Sequence, residues 1–179
     1  MPSLLHSVIF AFLHLSPALA QSRHGGDVFH IHKEPEKVPS KVQFTYPGTG
    51  LDGPKVKPVN TTTFDWWYFD AVSSELAEGD LSSVVVTFYD ATAGGFEALS
   101  KTNTKLEVSI TGSFKDGTPF GVDAFPADAV VTTYGDNSEG QWGKYGSWTS
   151  SPDLKWWNIA FQDPKNGVTG SMTLEAVLF

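Results

Sequence analysis

Beyond residue 40 the chain is written in twos. TKLEVSITGSF, residues 104–114, sets Leu106, Val108 and Ile110 against Lys105, Glu107 and Ser109. Alternation of this kind places apolar side chains on one face of a strand. VQFTY (42–46), TFDWWYFDAV (63–72), LSSVVVTFYDA (81–91), DAVVTTYG (128–135), GKYGSWTS (143–150), DLKWWNIAFQ (153–162) and GVTGSMTLEAVLF (167–179) have strand character too. Turn material such as DATAGG, FKDGTPFG, GDNSEG and DPKNG separates them. Nowhere does a clean apolar period of about 3.6 run, and a short helix over Ser73–Glu78 is not required. The pattern predicts an antiparallel all-β domain of about eight strands. A lipocalin-like barrel, or a strongly curved sheet, suits the hairpin connections. Gly112, Gly146 and Gly170 stand inside strands, where curvature is expected. A barrel of this size has room for one small ligand.

The first 20 residues contain no Lys, Arg, Asp or Glu, and an apolar run spans Leu4–Leu15. Ala18-Leu19-Ala20 then supplies small residues at a cleavage site. Residues 1–20 read as a signal peptide, which puts the protein in the secretory pathway or outside the cell. The run is too short to cross a bilayer, which takes roughly 20 apolar residues, and no other stretch is long enough. Residues 21–40 read as an extended leader, and 41–179 as one β domain. Twelve basic against 20 acidic residues give a net charge of −8. That surface repels nucleic acid, and no basic patch offsets it. With no cysteine, thiol catalysis, zinc thiolate sites and disulfides are excluded, so the fold rests on its core of aromatics. His24, His30 and His32 lie in the leader, where they read as an uncommitted segment rather than a metal site. Asn60-Thr61-Thr62 is a sequon, so Asn60 is expected on the surface and glycosylated.

The densest chemistry is FDWWYFDA, residues 64–71. In a strand, Asp65, Trp67 and Phe69 share one face, while Phe64, Trp66, Tyr68 and Asp70 share the other. The aspartates are therefore split, against the requirement of a two-carboxylate glycosidase. Both faces are aromatic, so one should meet the interior and the other needs a second layer. Later aromatics are Trp142, Tyr145, Trp148, Trp156, Trp157 and Phe161. Trp157 shares a face with Ile159, and Trp156 with Asn158. The tryptophans, with Tyr68, Tyr145 and Asn158, fit either an apolar cavity with a few polar points or a Trp-rich core. No nucleophile elbow, Walker loop or zincin motif occurs, and no histidine follows residue 32. Acid–base work would fall to Asp, Glu, Tyr or Lys, and Asp65 or Asp70 beside tryptophans would have a raised pKa if desolvated. The chain's last strand, ending AVLF, becomes apolar on both faces. It expects cover from a second domain or from self-association.

TTTFDWWYFDAVS resembles a signature strand of the fungal Diels–Alderase family, itself related to carotenoid hydratase and AttH-like proteins. VVVTFYDA and GSWTSSPDLKWWNIAF are similar to the same family, so the resemblance spans about residues 42–179. It implies two consecutive lipocalin-like domains, of which this would be the first, with a ligand pocket near their junction. It implies cycloaddition without metal or organic cofactor on an apolar polyene or quinone-methide-type intermediate. The signal peptide and sequon resemble the secreted hetero-Diels–Alderase branch that makes tropolone–sesquiterpenoids. A pericyclase aligns two π systems and excludes water, and a hydrogen-bond donor stabilises developing charge. On that reading Asp65, Tyr68, Asp70 and Asn158 are catalytic candidates. Trp66, Trp67, Tyr145, Trp148 and Trp157 are candidates for binding a small apolar metabolite. Strand parity keeps them from sharing one wall of a regular sheet. The alternatives are a non-catalytic lipocalin-like carrier of an apolar metabolite and a secreted carbohydrate-binding β domain.

Overall fold

The computed structural model describes residues 26–73, 79–99 and 104–176. Among them every regular element is a strand. In chain order these are β1 (Asp27–His32), β2 (Lys41–Val42), β3 (Val56–Lys57), β4 (Phe64–Val72), β5 (Ser83–Ala91) and β6 (Leu106–Ser113), followed by β7 (Pro119–Ala124), β8 (Asp128–Tyr134), β9 (Asn137–Trp142), β10 (Gly146–Ser150), β11 (Trp156–Asp163) and β12 (Val168–Glu175). All strand pairs are antiparallel. One sheet has the order β1-β8-β9-β10-β11-β12, a second β4-β5-β6-β7, and β2 pairs with β3 alone. Among the described residues no strand pair joins the two large sheets. The all-β expectation holds in its curved-sheet form: among the described residues no barrel closes, and twelve strands stand where about eight were expected.

Of the extra strands, β9 is the one built mostly from polar and small residues. NSEGQW forms β9 because its inward positions, Ser138, Gly140 and Trp142, need little volume of their own. The space over Gly140 is filled by the Trp148 ring from β10, and a Cβ at residue 140 would strike that ring. β7 begins on Pro119 in what reads as turn material, and its edge position tolerates the missing donor. The leader also contributes. DVFHIH pairs with β8 along its whole length, turning Ile31 inward and His30 and His32 outward. VQFTY, conversely, is strand only at Val42, with Phe44 and Tyr46 exposed.

The two large sheets meet through their aromatic faces. Trp67 of β4 stacks on Trp148 at 4.9 Å between centroids, and its ring meets Trp142 edge-on at 5.4 Å. Phe88 of β5 packs on the same two tryptophans at 4.9 and 5.6 Å. Aromatic pairs at such spacings add about 0.5–1.5 kcal/mol each beyond area burial. Val86, Val108, Ile110, Val131 and Ile159 complete this core. The strand glycines serve ring packing. A Cβ at Gly146 would lie 2.7 Å from Phe88, and one at Gly170 2.7 Å from Phe161, while β10 and β12 run through both positions in unbroken register.

One end of the sandwich is closed by charge. Asp65 and Asp90 sit opposite each other on β4 and β5, on the inward face. Lys105 Nζ donates to Asp90 Oδ1 at 2.7 Å, and both side chains are buried. Asp65 accepts the backbone N–H groups of Lys55, Val56 and Trp66 at 2.6, 3.1 and 3.0 Å. It thereby pins the incoming chain at β3 to the start of β4.

Candidate functional site

The alternation in FDWWYFDAV is realised without a bulge, for β4 pairs with β5 residue by residue from Phe64–Ala91 to Val72–Ser83. Trp67 and Phe69 are buried in the sandwich, whereas Phe64, Trp66, Tyr68 and Asp70 face outward and are exposed. The two aspartates stand on opposite faces, as parity requires.

The outward face is an aromatic surface. Phe96, from the loop after β5, packs on Phe64 at 5.4 Å, on Trp66 at 4.9 Å and on Tyr89 at 5.8 Å. Trp66 meets Tyr89 edge-on at 5.9 Å. The register continues this row across the sheet: Trp66 lies opposite Tyr89, and Tyr89 opposite Glu107. The next row runs Tyr68, Thr87, Ser109, Asp123. Trp66 is 41% exposed and Tyr68 54%, but Glu107 is only 6% exposed. Burial, followed by the like charge of Asp123, pushes the Glu107 carboxyl up to about 7. Burial also raises the Tyr89 phenol. This sheet face thus combines exposed aromatic rings with a carboxyl that is half neutral near pH 7, a combination suited to apolar substrates bearing an oxygen function.

A second polar group sits at the rim of the core. Asp136 accepts the N–H groups of Gly48 and Leu51 at 2.7 and 3.3 Å, holding the 47–54 loop in place. That loop delivers Asp52, whose Oδ2 accepts from Ser138 Oγ at 2.7 Å. Ser138 Oγ in turn accepts the Trp148 indole N–H at 2.9 Å, and Trp67 donates to the Asp52 carbonyl at 3.1 Å. Burial raises the Asp52 pKa against the hydrogen bond from Ser138. Burial likewise raises Asp65, against three backbone N–H donors, and lowers Lys55, which lies between the two carboxylates in the charge pattern. Every strong donor here already has an acceptor inside the protein, so the group serves as internal bracing.

The candidates from sequence are dispersed. Trp66, Tyr68 and Asp70 share the outward face of β4. Asp65 is a backbone clamp on the other face. Trp67 and Trp148 are core residues, Trp148 at 1% exposure, so their rings are spent on packing and cannot line an open cavity. Trp157 is half-buried on the inward face of β11, and its indole helps hold the Asp52 pKa down against burial. Tyr145 lies in the β9–β10 turn with Lys144 Nζ 5.4 Å over its ring. Asn158 is exposed on the outer face of the six-stranded sheet, where it accepts from Thr173 Oγ1 at 2.7 Å. It cannot act with Tyr68, which belongs to the other sheet's outer face. Asn60 sits in a turn, its Oδ1 accepting Thr62 N–H at 2.9 Å and its Nδ2 donating to Val38 O at 3.2 Å. A cavity of about 120 Å³ beside β1, lined by Asp27, Phe29, Gln43 and Thr133, is well below the ~300 Å³ of an ordinary ligand pocket. Glu107 and Tyr89 were not singled out from sequence; their only signal was strand parity, which needs the register before it names a face. Among the described residues no cluster of three metal-ligating side chains occurs, and no helix is long and apolar enough to cross a membrane. Residues 1–25, with the expected signal-cleavage site and His24, and residues 177–179 lie outside the described residues.

Comparison with known proteins places this architecture. Residues 29–178 match the family model described as Diels–Alderase-like. The chain is 37% identical over 129 residues to the quinolone epoxide rearrangement protein asqO of Emericella nidulans, covering 71% of this chain and 34% of that protein. It is 35% identical over 135 residues to the quinolone epoxide rearrangement protein penF of Penicillium thymicola, covering 71% and 36%. The chain thus spans about a third of the length of these relatives. Among solved structures, CghA, determined alone and with Sch210972, superposes with a TM-score of 0.65 at 22% identity, covering 84% of this chain and 39% of CghA; this likeness is one of fold. With its signature strand, its two facing sheets and a family match over most of its length, the chain belongs to the Diels–Alderase-like family.

Proposed function

We propose that the protein is a cofactor-independent cyclase of fungal secondary metabolism, a pericyclase whose substrate lies against the outward face of β4 and β5. The observation that carries this reading is the aromatic face on which Phe64, Trp66 and Tyr68 are exposed and half-buried Tyr89 and Phe96 pack beside Trp66. Membership of the Diels–Alderase-like family supports it. Such a wall favours catalysis by alignment and water exclusion, which need neither metal nor redox group. The substrate class is an apolar polyene or quinone-methide-type intermediate. The names of the two relatives describe epoxide rearrangement, also an internal reorganisation of one molecule, so a reactive oxygen function on the substrate fits the same site.

The site predicts a specific optical result. Diphenylhexatriene, an apolar polyene, should quench tryptophan fluorescence of the protein. Trp66→Phe should abolish most of that quenching, and Trp156→Phe, on the outer face of the other sheet, should leave it intact. Quenching that survives Trp66→Phe would place the ligand elsewhere. Quenching by soluble glycans and none by the polyene would favour a carbohydrate-binding domain.

The proposal includes passage through the secretory pathway with a glycan on Asn60. It rests on the apolar stretch at residues 1–20, which contains no Lys, Arg, Asp or Glu, and on the sequon, whose half-buried Asn60 opens the turn at 60–62. Protein from its native host should lose mass on endoglycosidase treatment, and Asn60→Gln should remove that loss. An unchanged mass would refute it.

A further inference from the structure

We propose that Glu107, in its neutral form, is the hydrogen-bond donor to an oxygen of the bound substrate, a carbonyl or a strained cyclic ether. The inference rests on the proposed substrate wall and deepens it.

The geometry is unusual for a glutamate. Glu107 belongs to the outward side of β6, in register with Tyr89 and, beyond it, Trp66. Glu107 is only 6% exposed, and among the described residues no hydrogen bond or ion pair reaches its carboxyl, whose oxygens keep a small contact with the surface. Buried carboxyls are ordinarily paired, because a lone charge there is costly. The titratable groups around it offer no cation. On β4 the outward groups are Tyr68 and Asp70; on β5, Tyr89; on β7, Asp123. Lys105, two residues earlier, is committed to Asp90 at 2.7 Å. The carboxyl therefore adjoins the aromatic row with its hydrogen-bonding capacity unused.

An acid in this setting behaves as a donor near neutral pH. Burial and Asp123 push it up to about 7, so a large share carries its proton there. In a cycloaddition, negative charge builds on the activating carbonyl oxygen of one partner. The Glu107 O–H points its proton at that oxygen, the contact tightens as charge develops, and the proton stays with Glu107 when the new carbon–carbon bonds are complete. No co-reactant is consumed and the acid ends as it began. Loss of one preorganised donor of this kind reduces a rate by about 10²–10³.

The test uses β-ionone, an apolar conjugated ketone, and the infrared band of its carbonyl. Bound to the protein at pH 6, the band should move to lower frequency than in hydrocarbon solvent. The displacement should fade as pH rises through about 7, where Glu107 ionises. Glu107→Leu should bind the ketone without the displacement. Glu107→Gln, a neutral donor of the same shape, should keep part of it at every pH. Folding is checked separately. The raised carboxyl favours the folded state when neutral, so the parent loses stability as pH rises from about 4.5 through 7. Both variants should lack that dependence and be no less stable than the parent at pH 8. Ketone bound with an undisplaced carbonyl band at pH 6, or a displacement that persists in Glu107→Leu, overturns the role of Glu107 and leaves the aromatic wall standing. Failure of β-ionone to quench Trp66 fluorescence overturns both.

Discussion

Lys105→Met should lower the stability of the fold by about 3–5 kcal/mol at pH 7, measured by denaturant unfolding. The Lys105–Asp90 pair is buried on both sides, and no solvent is available to take over the charge left behind. Burial already pushes Asp90 up to about 6, with Lys105 pulling it down and Asp65 opposite pushing it further up. Removing Lys105 drives Asp90 higher still. Its neutral form is then the stable one in the fold, while the unfolded carboxyl keeps its ordinary value of 3.8. Stability of the variant should therefore recover as pH falls from 7 toward 4, the opposite of ordinary acid denaturation. Lys105→Met combined with Asp90→Leu should recover most of the loss at pH 7, because an apolar pair of similar volume avoids the desolvation cost. A single variant as stable as the parent at pH 7 would show that the charge row does not hold that end of the sandwich shut.

Why the sheet end carries this row, rather than apolar side chains, follows from its neighbours. Two lysines answer two aspartates, Lys55 beside Asp65 and Lys105 on Asp90, where the chain enters β4 and leaves β5. Asp65 spends its lone pairs on backbone donors of residues 55 and 56, which have no strand partner beyond β2 and β3. This end is where irregular chain must be satisfied internally, and polar groups are the means.

The class of the fold was legible because period two is a strong signal. Leu106, Val108 and Ile110 alternate in sequence and are all fully buried. The split of FDWWYFDA was legible for the same reason, since a regular strand leaves no other arrangement. Closure was not legible. A barrel and an open pair of sheets use the same hairpins and differ only in whether edge strands pair, which no local pattern records. β9 escaped notice because its core volume comes from a neighbour, Trp148 lying over Gly140. The site was half visible. Trp66 and Tyr68 announce themselves by type. Trp148 and Asn158 announce themselves equally well, yet one is packed in the core and the other lies on the far sheet. Glu107 looked like the solvent member of an alternating strand. Only the register, which sets it beside Tyr89, turns it into a buried acid at the edge of an aromatic wall.

The aromatic face is the part of the account on which function depends. Trp66 gives up ring contacts with Phe64, Tyr89 and Phe96, so Trp66→Ala with Tyr68→Ala should lower stability by about 1.5–4.5 kcal/mol yet keep a cooperative melting transition. Each ring contact with a conjugated substrate supplies about 0.5–1.5 kcal/mol, so the pair biases one approach geometry over another by roughly tenfold or more. The direct measurement is the isomer ratio of the cycloadducts formed from a linear polyene carrying an activated alkene, with the parent protein, with the double variant and with buffer alone. The account predicts a biased ratio with the parent, and the spontaneous ratio of buffer with the folded double variant. A bias that survives loss of both rings would contradict it, and so would a parent protein that binds the polyene tightly yet returns the spontaneous ratio, which is the behaviour of a carrier.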